Sequence, residues 1–256
     1  MRKGRKSPDE MTFLEHLEDL RKRLLGSIIA LLVAVIPSWM FSQDIYRILS
    51  RPVTQYLPEG TKLAFTSLTA PFTLYMKVAF LSAAFFTSPF IFYQLWKFVA
   101  PGLYQKEKKY VIPFVVFTSA FFLGGALFGY YVAFPFACRF FLNLGSEFQP
   151  VITVDTFFSL TIKLLLGIGL VFEMPTLIFF LSRMGIVTAG WMLKKFKYAI
   201  LIIFVIAALI TPTPDIVNQA ILAVPMIVLY SLSILIALIF GKKKKPRDED
   251  DSKQAG

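Results

Sequence analysis

The sequence predicts an all-α membrane protein: six bent transmembrane helices, both termini cytoplasmic, forming a concave bundle. Three observations predict it. The 256 residues are 56% hydrophobic and only 17% charged, whereas a soluble globular domain carries about 25% charged residues. Apolar runs of bilayer-spanning length recur along the chain. Of the 27 Lys and Arg, 21 fall in the alternate segments 1–23, 97–110, 183–197 and 241–256, and four in the intervening segments 43–71, 139–156 and 211–215. Positive charge accumulates on cytoplasmic loops, so both ends are expected inside, which an even number of spans requires.

The same numbers exclude other classes. The apolar content rules out a disordered chain. One cysteine, Cys138, rules out a disulfide framework. One histidine, His16, leaves no basis for a Cys/His metal site. The net charge of +11 is not a nucleic-acid footprint, because its distribution is that of a topology signal. The mean hydropathy is +0.65.

The chain is expected to form one transmembrane domain over 1–241, followed by a basic, then acidic, disordered tail over 242–256. An amphipathic helix is expected over 8–23. Ser7 is a good N-cap, Pro8 suits the first helical position, and Glu10 completes a capping box. Phe13, Leu14, Leu17, Leu20 and Leu24 recur at helical spacing as an apolar stripe, with Glu15, Glu18 and Asp19 on the other side. Its bland interpretation is a solvated interfacial helix with Glu18–Lys22 and Asp19–Arg23 pairs. The sharper one is an acidic patch beside an apolar surface that binds a basic ligand.

The first span covers about 24–42. Its run is too long for a signal-peptide core, and Pro37-Ser38-Trp39 is no small-residue cleavage site, so it is expected to be retained. Further spans cover about 72–96, 111–135, 157–182, 195–211 and 216–240. The fifth is short and depends on Lys194 and its neighbours snorkelling. Pro37, Pro89, Pro113, Pro135, Pro175 and Pro225 lie in or beside these runs and are expected to bend them. Gly124-Gly125, Gly129, Gly167 and Gly169 permit close helix contact. No internal repeat is visible, which weighs against an inverted-repeat transporter. The basic run Lys242–Lys245 beside the last span reads as a topology anchor that meets anionic lipid.

Charge inside the membrane is costly, at least about 2.5–3.5 kcal/mol at the bilayer centre, and marks functional candidates. Glu173, in Val171-Phe172-Glu173-Met174-Pro175, is the foremost of these. Lys77 and Lys163 are expected to snorkel. Asp215, after Thr211-Pro212-Thr213-Pro214, is placed to N-cap the sixth span. Glu107 is the only acid among the basic residues of its loop, and by itself reads as charge neutralisation. No zinc-protease, nucleophile-elbow or phosphate-loop motif is present, and no aspartate lies inside a span. An enzyme is therefore not expected, and no cofactor or metal is implied. A secondary transporter using Glu173 as its proton site is the alternative.

Several motifs in order resemble the TatC family, the multi-spanning subunit of the twin-arginine protein translocase. They are Phe13-Leu14-Glu15-His16-Leu17-Glu18-Asp19-Leu20-Arg21-Lys22-Arg23-Leu24, then Tyr93-Gln94-Leu95-Trp96-Lys97-Phe98-Val99-Ala100-Pro101-Gly102-Leu103-Tyr104 with Glu107. Phe172-Glu173-Met174-Pro175 follows, and then Thr211-Pro212-Thr213-Pro214-Asp215 with Gln219. The resemblance implies a receptor for folded proteins carrying twin-arginine signal peptides, driven by the proton-motive force. It further implies assembly with single-span TatA/TatB-type subunits in an oligomeric complex of the bacterial inner membrane.

Residue by residue, the resemblance implies signal-peptide contacts at Asp19, Glu18, Arg21, Phe98 and Glu107. It implies an intramembrane polar site at Glu173, partner-subunit contacts at Thr211 and Gln219, and an acidic outward turn at Asp215. The family's usual glutamate before Leu-Arg is Asp19 here, with Glu18 preceding it, so either carboxylate can carry the arginine contact. The turn before the last span is one residue longer than the family's compact Thr-Pro-Pro-Asp form.

Overall fold

The computed structural model describes residues 13–56, 63–99, 111–148, 151–211 and 215–241. The described residues are helical apart from short turns, with one isolated bridge between Ala64 and Thr153. The expected capping residues Ser7, Pro8 and Glu10, the acid Glu107 and the tail 242–256 lie outside the described residues.

Six spans cross the membrane. The first is α1 (Phe13–Met40), and the second is α3 (Ala70–Val99). The third is α4 (Val111–Phe128) continued through a π-helical turn (Gly129–Ala133) into α5 (Phe134–Leu144). The fourth is α6 (Val154–Phe172) continued by α7 (Met174–Arg183), and the last two are α9 (Phe196–Ile210) and α10 (Ile216–Phe240). Five of these crossings are long and apolar enough to span a bilayer by themselves, and α9 is the shorter one. The fold is thus an all-α membrane fold. Below, the side on which α1 begins and α10 ends is the termini side, and the opposite one the far side.

Helix boundaries differ from expectation where packing, not hydropathy, sets them. The amphipathic segment and the first span are one helix: α1 runs unbroken from Phe13 to Met40, since no helix-breaking residue separates the apolar stripe from the apolar run. Segment 43–71, expected as a loop, contains α2 (Ser42–Thr54). Its polar residues hide this helix from a hydropathy search. It buries Leu49 and Val53 against α3 and α5, and the Tyr130 hydroxyl donates to the Ile48 carbonyl at 2.6 Å. A short helix α8 (Ala189–Lys194), N-capped by the Thr188 hydroxyl, turns the chain into α9.

The core lies where α3, α5, α6, α9 and α10 converge around Phe134, Phe158, Leu164, Val78 and Ala207. Glycines set its tightest contact. A Cβ on Gly125 would lie 2.8 Å from Phe172 and 3.0 Å from the Gly169 backbone, so α4 and α6 approach almost to backbone contact. By contrast α1 packs chiefly on α3, and Ile29, Val33, Ile36 and Met40 stay exposed to the hydrocarbon.

Candidate functional site

The sequence-predicted residues fall into three groups at three depths. The first lies at the termini end of the α1–α3 pair. The two helices run antiparallel and meet in register where Gly26 faces the Gln94 side chain at 3.6 Å. Glu18, Asp19 and Arg21 lie toward the termini side of that point on α1, as does Phe98 on α3. The four candidates therefore share one end of one helix pair.

Their carboxylates are held differently. Glu18 pairs with Lys22 at 2.8 Å, and both side chains are more than half exposed. Asp19 accepts from Arg23 Nε at 2.7 Å through Oδ2 alone, with side chains only 26% and 16% exposed. Arg21 is exposed and Phe98 half-buried. An incoming guanidinium would thus meet one acid in solvent and one set against the helix surface. A guanidinium pairs best with a carboxylate that offers two oxygens, and Asp19 commits only one to Arg23.

The end of α3 is fixed from below by an aromatic cluster that the sequence motifs do not single out. The Trp96 indole N–H donates to the Thr118 hydroxyl on α4 at 3.2 Å. Its ring lies on Phe180 of α7, with centroids 3.5 Å apart, and Phe114 packs on both. Phe179 then reaches Phe240 near the end of α10. Four helices are tied together two residues before Phe98. A buried Trp beside a Thr one helix away was the available signal, but only the fold pairs them.

The second group is Glu173 with Thr176. The carboxylate sits in the single-residue break between α6 and α7. Pro175, in the first turn of α7, has no N–H to continue the ladder, and the Glu173 N–H bonds Leu170 in a tighter turn. Glu173 is 7% exposed and Thr176 3%. Glu173 Oε1 and the Thr176 hydroxyl oxygen make no hydrogen bond. Several other buried hydroxyls in the spans bond the carbonyl one turn back: Ser82 to Val78, Thr87 to Ala83, Thr161 to Phe157, Ser233 to Leu229. The Glu173–Thr176 pair departs from that pattern, and Thr176 is a residue the sequence motifs miss.

The third group surrounds the far-side turn between α9 and α10. Thr211 is buried and bonds the Ala207 carbonyl at 2.9 Å. Asp215 N-caps α10, accepting from the Asn218 backbone at 2.7 Å and from its side-chain amide at 2.9 Å. Asn218 is buried, whereas Gln219 beside it is half-exposed. A small opening here is lined by Thr211 and Asn218 together with Ala133, Ala137 and Leu164. The structure thus brings Thr211 to Asn218 across this opening, and Gln219 points elsewhere on the same turn of helix. Among the described residues no cluster of His, Cys, Asp and Glu forms a metal site.

Six apolar crossings, with a buried carboxylate at the break between α6 and α7 and a buried amide beside the turn between α9 and α10, define a multi-pass membrane protein. The family model for the Sec-independent protein translocase protein TatC matches residues 15–225. The chain is 45% identical over 250 residues to the Sec-independent protein translocase protein TatC of Koribacter versatilis, covering 96% of this chain and 92% of that one. It is 42% identical to the TatC of Desulforapulum autotrophicum (97% and 91% covered) and 36% identical to the TatCy of Bacillus subtilis (95% of each). A crystal structure of the twin arginine translocase receptor TatC is 35% identical, with a TM-score of 0.77 over 88% of this chain and 99% of that one. A second, obtained in DDM, gives 0.79 over 90% and 100%. The chain belongs to the TatC family of Sec-independent protein translocase proteins.

Proposed function

We propose that this chain is the receptor and core subunit of a twin-arginine protein translocase in a bacterial inner membrane, with both termini cytoplasmic. It binds twin-arginine signal peptides of folded proteins at the termini side. It assembles with single-span TatA/TatB-type subunits, in an oligomeric complex, for export driven by the proton-motive force. The orientation is supported by the 21 basic residues that fall in alternate segments of the sequence.

The observation that carries the signal-peptide role is the state of Asp19. It is a carboxylate at the termini end of α1 that already grips one arginine by a single oxygen, leaving the other for a second guanidinium. By family position, Glu107 would supply a second acid to the recognition of the arginine pair. Each charge-assisted contact is worth about 1.5–3 kcal/mol, so two of them give specificity with modest affinity. The apolar stretch of the signal would add burial along α3, beginning at Phe98. Glu173 and Thr176 would receive a polar group from a partner's span. Thr211, Gln219 and Asp215, with Asn218, would receive partner helices at the far-side turn.

The test is photo-crosslinking of a twin-arginine signal peptide to Asp19→Lys and Glu107→Lys chains that remain folded. Crosslinking is expected to be lost in both. Undiminished crosslinking in both would remove these residues from the recognition site.

A further inference from the structure

Helix α2 carries a proline in its last turn, and the chain answers it from another span. Pro52 has no N–H to give to the Ile48 carbonyl, its acceptor one turn back, and its ring crowds that oxygen. An acceptor freed in this way takes its donor from elsewhere. The Tyr130 hydroxyl donates to it at 2.6 Å, from a residue 82 positions further along the chain.

Tyr130 is presented by the π-helical turn of the third span. There the Phe134 N–H reaches back five residues to the Gly129 carbonyl. Pro135 follows directly. A proline ring clashes with the carbonyl four residues before it, here that of Tyr131, and the wider turn gives this oxygen room. The turn keeps Ala133 and Phe134 inside, at 5% and 0% exposure, and leaves Tyr131 outside. Tyr130 lies half-buried against α2. Two prolines on separate segments thus make the two halves of one contact. Pro52 frees the acceptor, and Pro135 shapes the turn that carries the donor.

The rest of α2 is held lightly. A helix of 13 residues is marginal by itself. Besides the proline, Leu49 and Val53 are its buried apolar side chains. Tyr46 meets Tyr75 of α3 and Phe157 of α6 edge-on, with ring centroids 6.0 and 6.4 Å apart. Asp44, Arg47 and Arg51 are exposed. The spans beneath hold together through contacts that α2 does not share, among them the close approach of α4 and α6 at Gly125.

We infer that α2 is a strap on the far side of the bundle that opens as a unit while the spans stay packed, and that the Tyr130–Ile48 hydrogen bond is its latch. Opening parts Tyr46 from Tyr75 and Phe157 and uncovers the ends of α3 and α6 beneath it. Ile48 is half exposed, so water can take over its carbonyl when the latch lets go, which makes release reversible. The inference uses only the fold, and it stands whichever way the chain is oriented and whatever it transports.

Hydrogen-exchange mass spectrometry of the full chain in nanodiscs tests it. Wild-type α2 is expected to exchange faster than the stretches around Val78 in α3 and Phe158 in α6. Tyr130→Phe keeps the ring and removes the donor. It is expected to raise exchange across α2 about fivefold, the effect of one net hydrogen bond, with α3 and α6 unchanged. Pro52→Ala supplies the missing N–H from within α2. In that background Tyr130→Phe is expected to raise exchange less than about twofold, because the Ile48 carbonyl is already bonded. Exchange of α2 no faster than that of the spans, or unchanged by Tyr130→Phe, would overturn the proposal. An increase spread equally over α3 and α6 would make Tyr130 part of the general packing and overturn the latch. An undiminished effect in the Pro52→Ala background would do the same, since Tyr130 would then not be replacing the bond that the proline removes.

Discussion

Asp19, near the start of α1, and Glu173, at the break between α6 and α7, are carboxylates held in opposite ways. Asp19 lies at a membrane edge, bonded to Arg23 one turn away, on a helix that packs chiefly on a single neighbour. Glu173 lies between tightly packed helices, and its Oε1 has no hydrogen-bond partner. Water can reach the first and replace any partner it loses, so its pairing is cheap to make and to exchange. Desolvation raises the cost of the second, and a group brought in from outside the chain would offset part of it. The first arrangement suits a site that swaps ligands, the second a site that waits for one.

The comparison breaks most severely if the packing around Glu173 is loosened or overfilled. Gly125 is the place to do it. A valine there would drive its Cβ into Phe172 and the Gly169 backbone, and backbone cannot swing away. Gly125→Val should cost about 3 kcal/mol or more and be read as loss of folded protein by size-exclusion chromatography. The termini-side equivalent is Gly26→Ala, whose Cβ would meet only the Gln94 amide at 3.6 Å, and it should accumulate like wild type.

The next effect separates stability from function. Replacing Glu173 by leucine removes a buried polar group that lacks a full set of partners. The detergent-solubilised chain should become more stable by about 1–3 kcal/mol, even as transport falls. A thermal melt checks this, at about 2–4 °C for each kcal/mol in a chain of this size. A lowered melting temperature would mean that Glu173 is bonded within the chain after all.

The hydroxyl beside it sharpens the same point at about 1 kcal/mol. Thr176→Val removes an unbonded buried hydroxyl at nearly constant shape and should raise stability. Thr161→Val, one helix segment earlier, removes a hydroxyl that bonds the Phe157 carbonyl at 3.0 Å and should not. Melts of the two variants side by side are the measurement, and their difference in sign is the expectation.

These contrasts explain what could be read from the sequence and what could not. The spans were legible because hydropathy and charge asymmetry are carried by single residues, and both survive without knowledge of packing. Helix α2 was not, since Asp44, Arg47 and Arg51 lower the hydropathy of a segment whose Leu49 and Val53 are nevertheless buried. The π-helical turn at Gly129–Ala133 was not, because α4 is apolar on every face and so carries no helical phase to interrupt. At the sites, Glu173 announced itself by its cost in hydrocarbon. Thr176 did not, because a threonine in a span ordinarily satisfies itself on the preceding turn. Asn218 and Gln219 are adjacent amides that a sequence cannot rank. Only the cap by Asp215 shows that Asn218 is the one turned inward.

The smallest effect on stability is expected at Asp19, and there it coincides with a large effect on binding. Asp19→Asn removes the charge but keeps an oxygen near Arg23. Its side chain is partly exposed and the pair is a single turn of helix, so the loss in stability should stay below about 1 kcal/mol. The same substitution removes the acceptor that a signal arginine would use, which should lower peptide affinity about tenfold or more, the equivalent of about 1.5–3 kcal/mol. Glu18→Gln, at the solvent-exposed pair with Lys22, separates the two carboxylates. If Asp19 makes the arginine contact, Glu18→Gln should leave affinity within about twofold, since an exposed pair of this kind contributes little. The reverse outcome, with Glu18 the sensitive residue, would move recognition to the solvent side of α1. Titrating the wild-type complex with salt adds an independent reading, because both contacts lie within reach of screening while Glu173 does not.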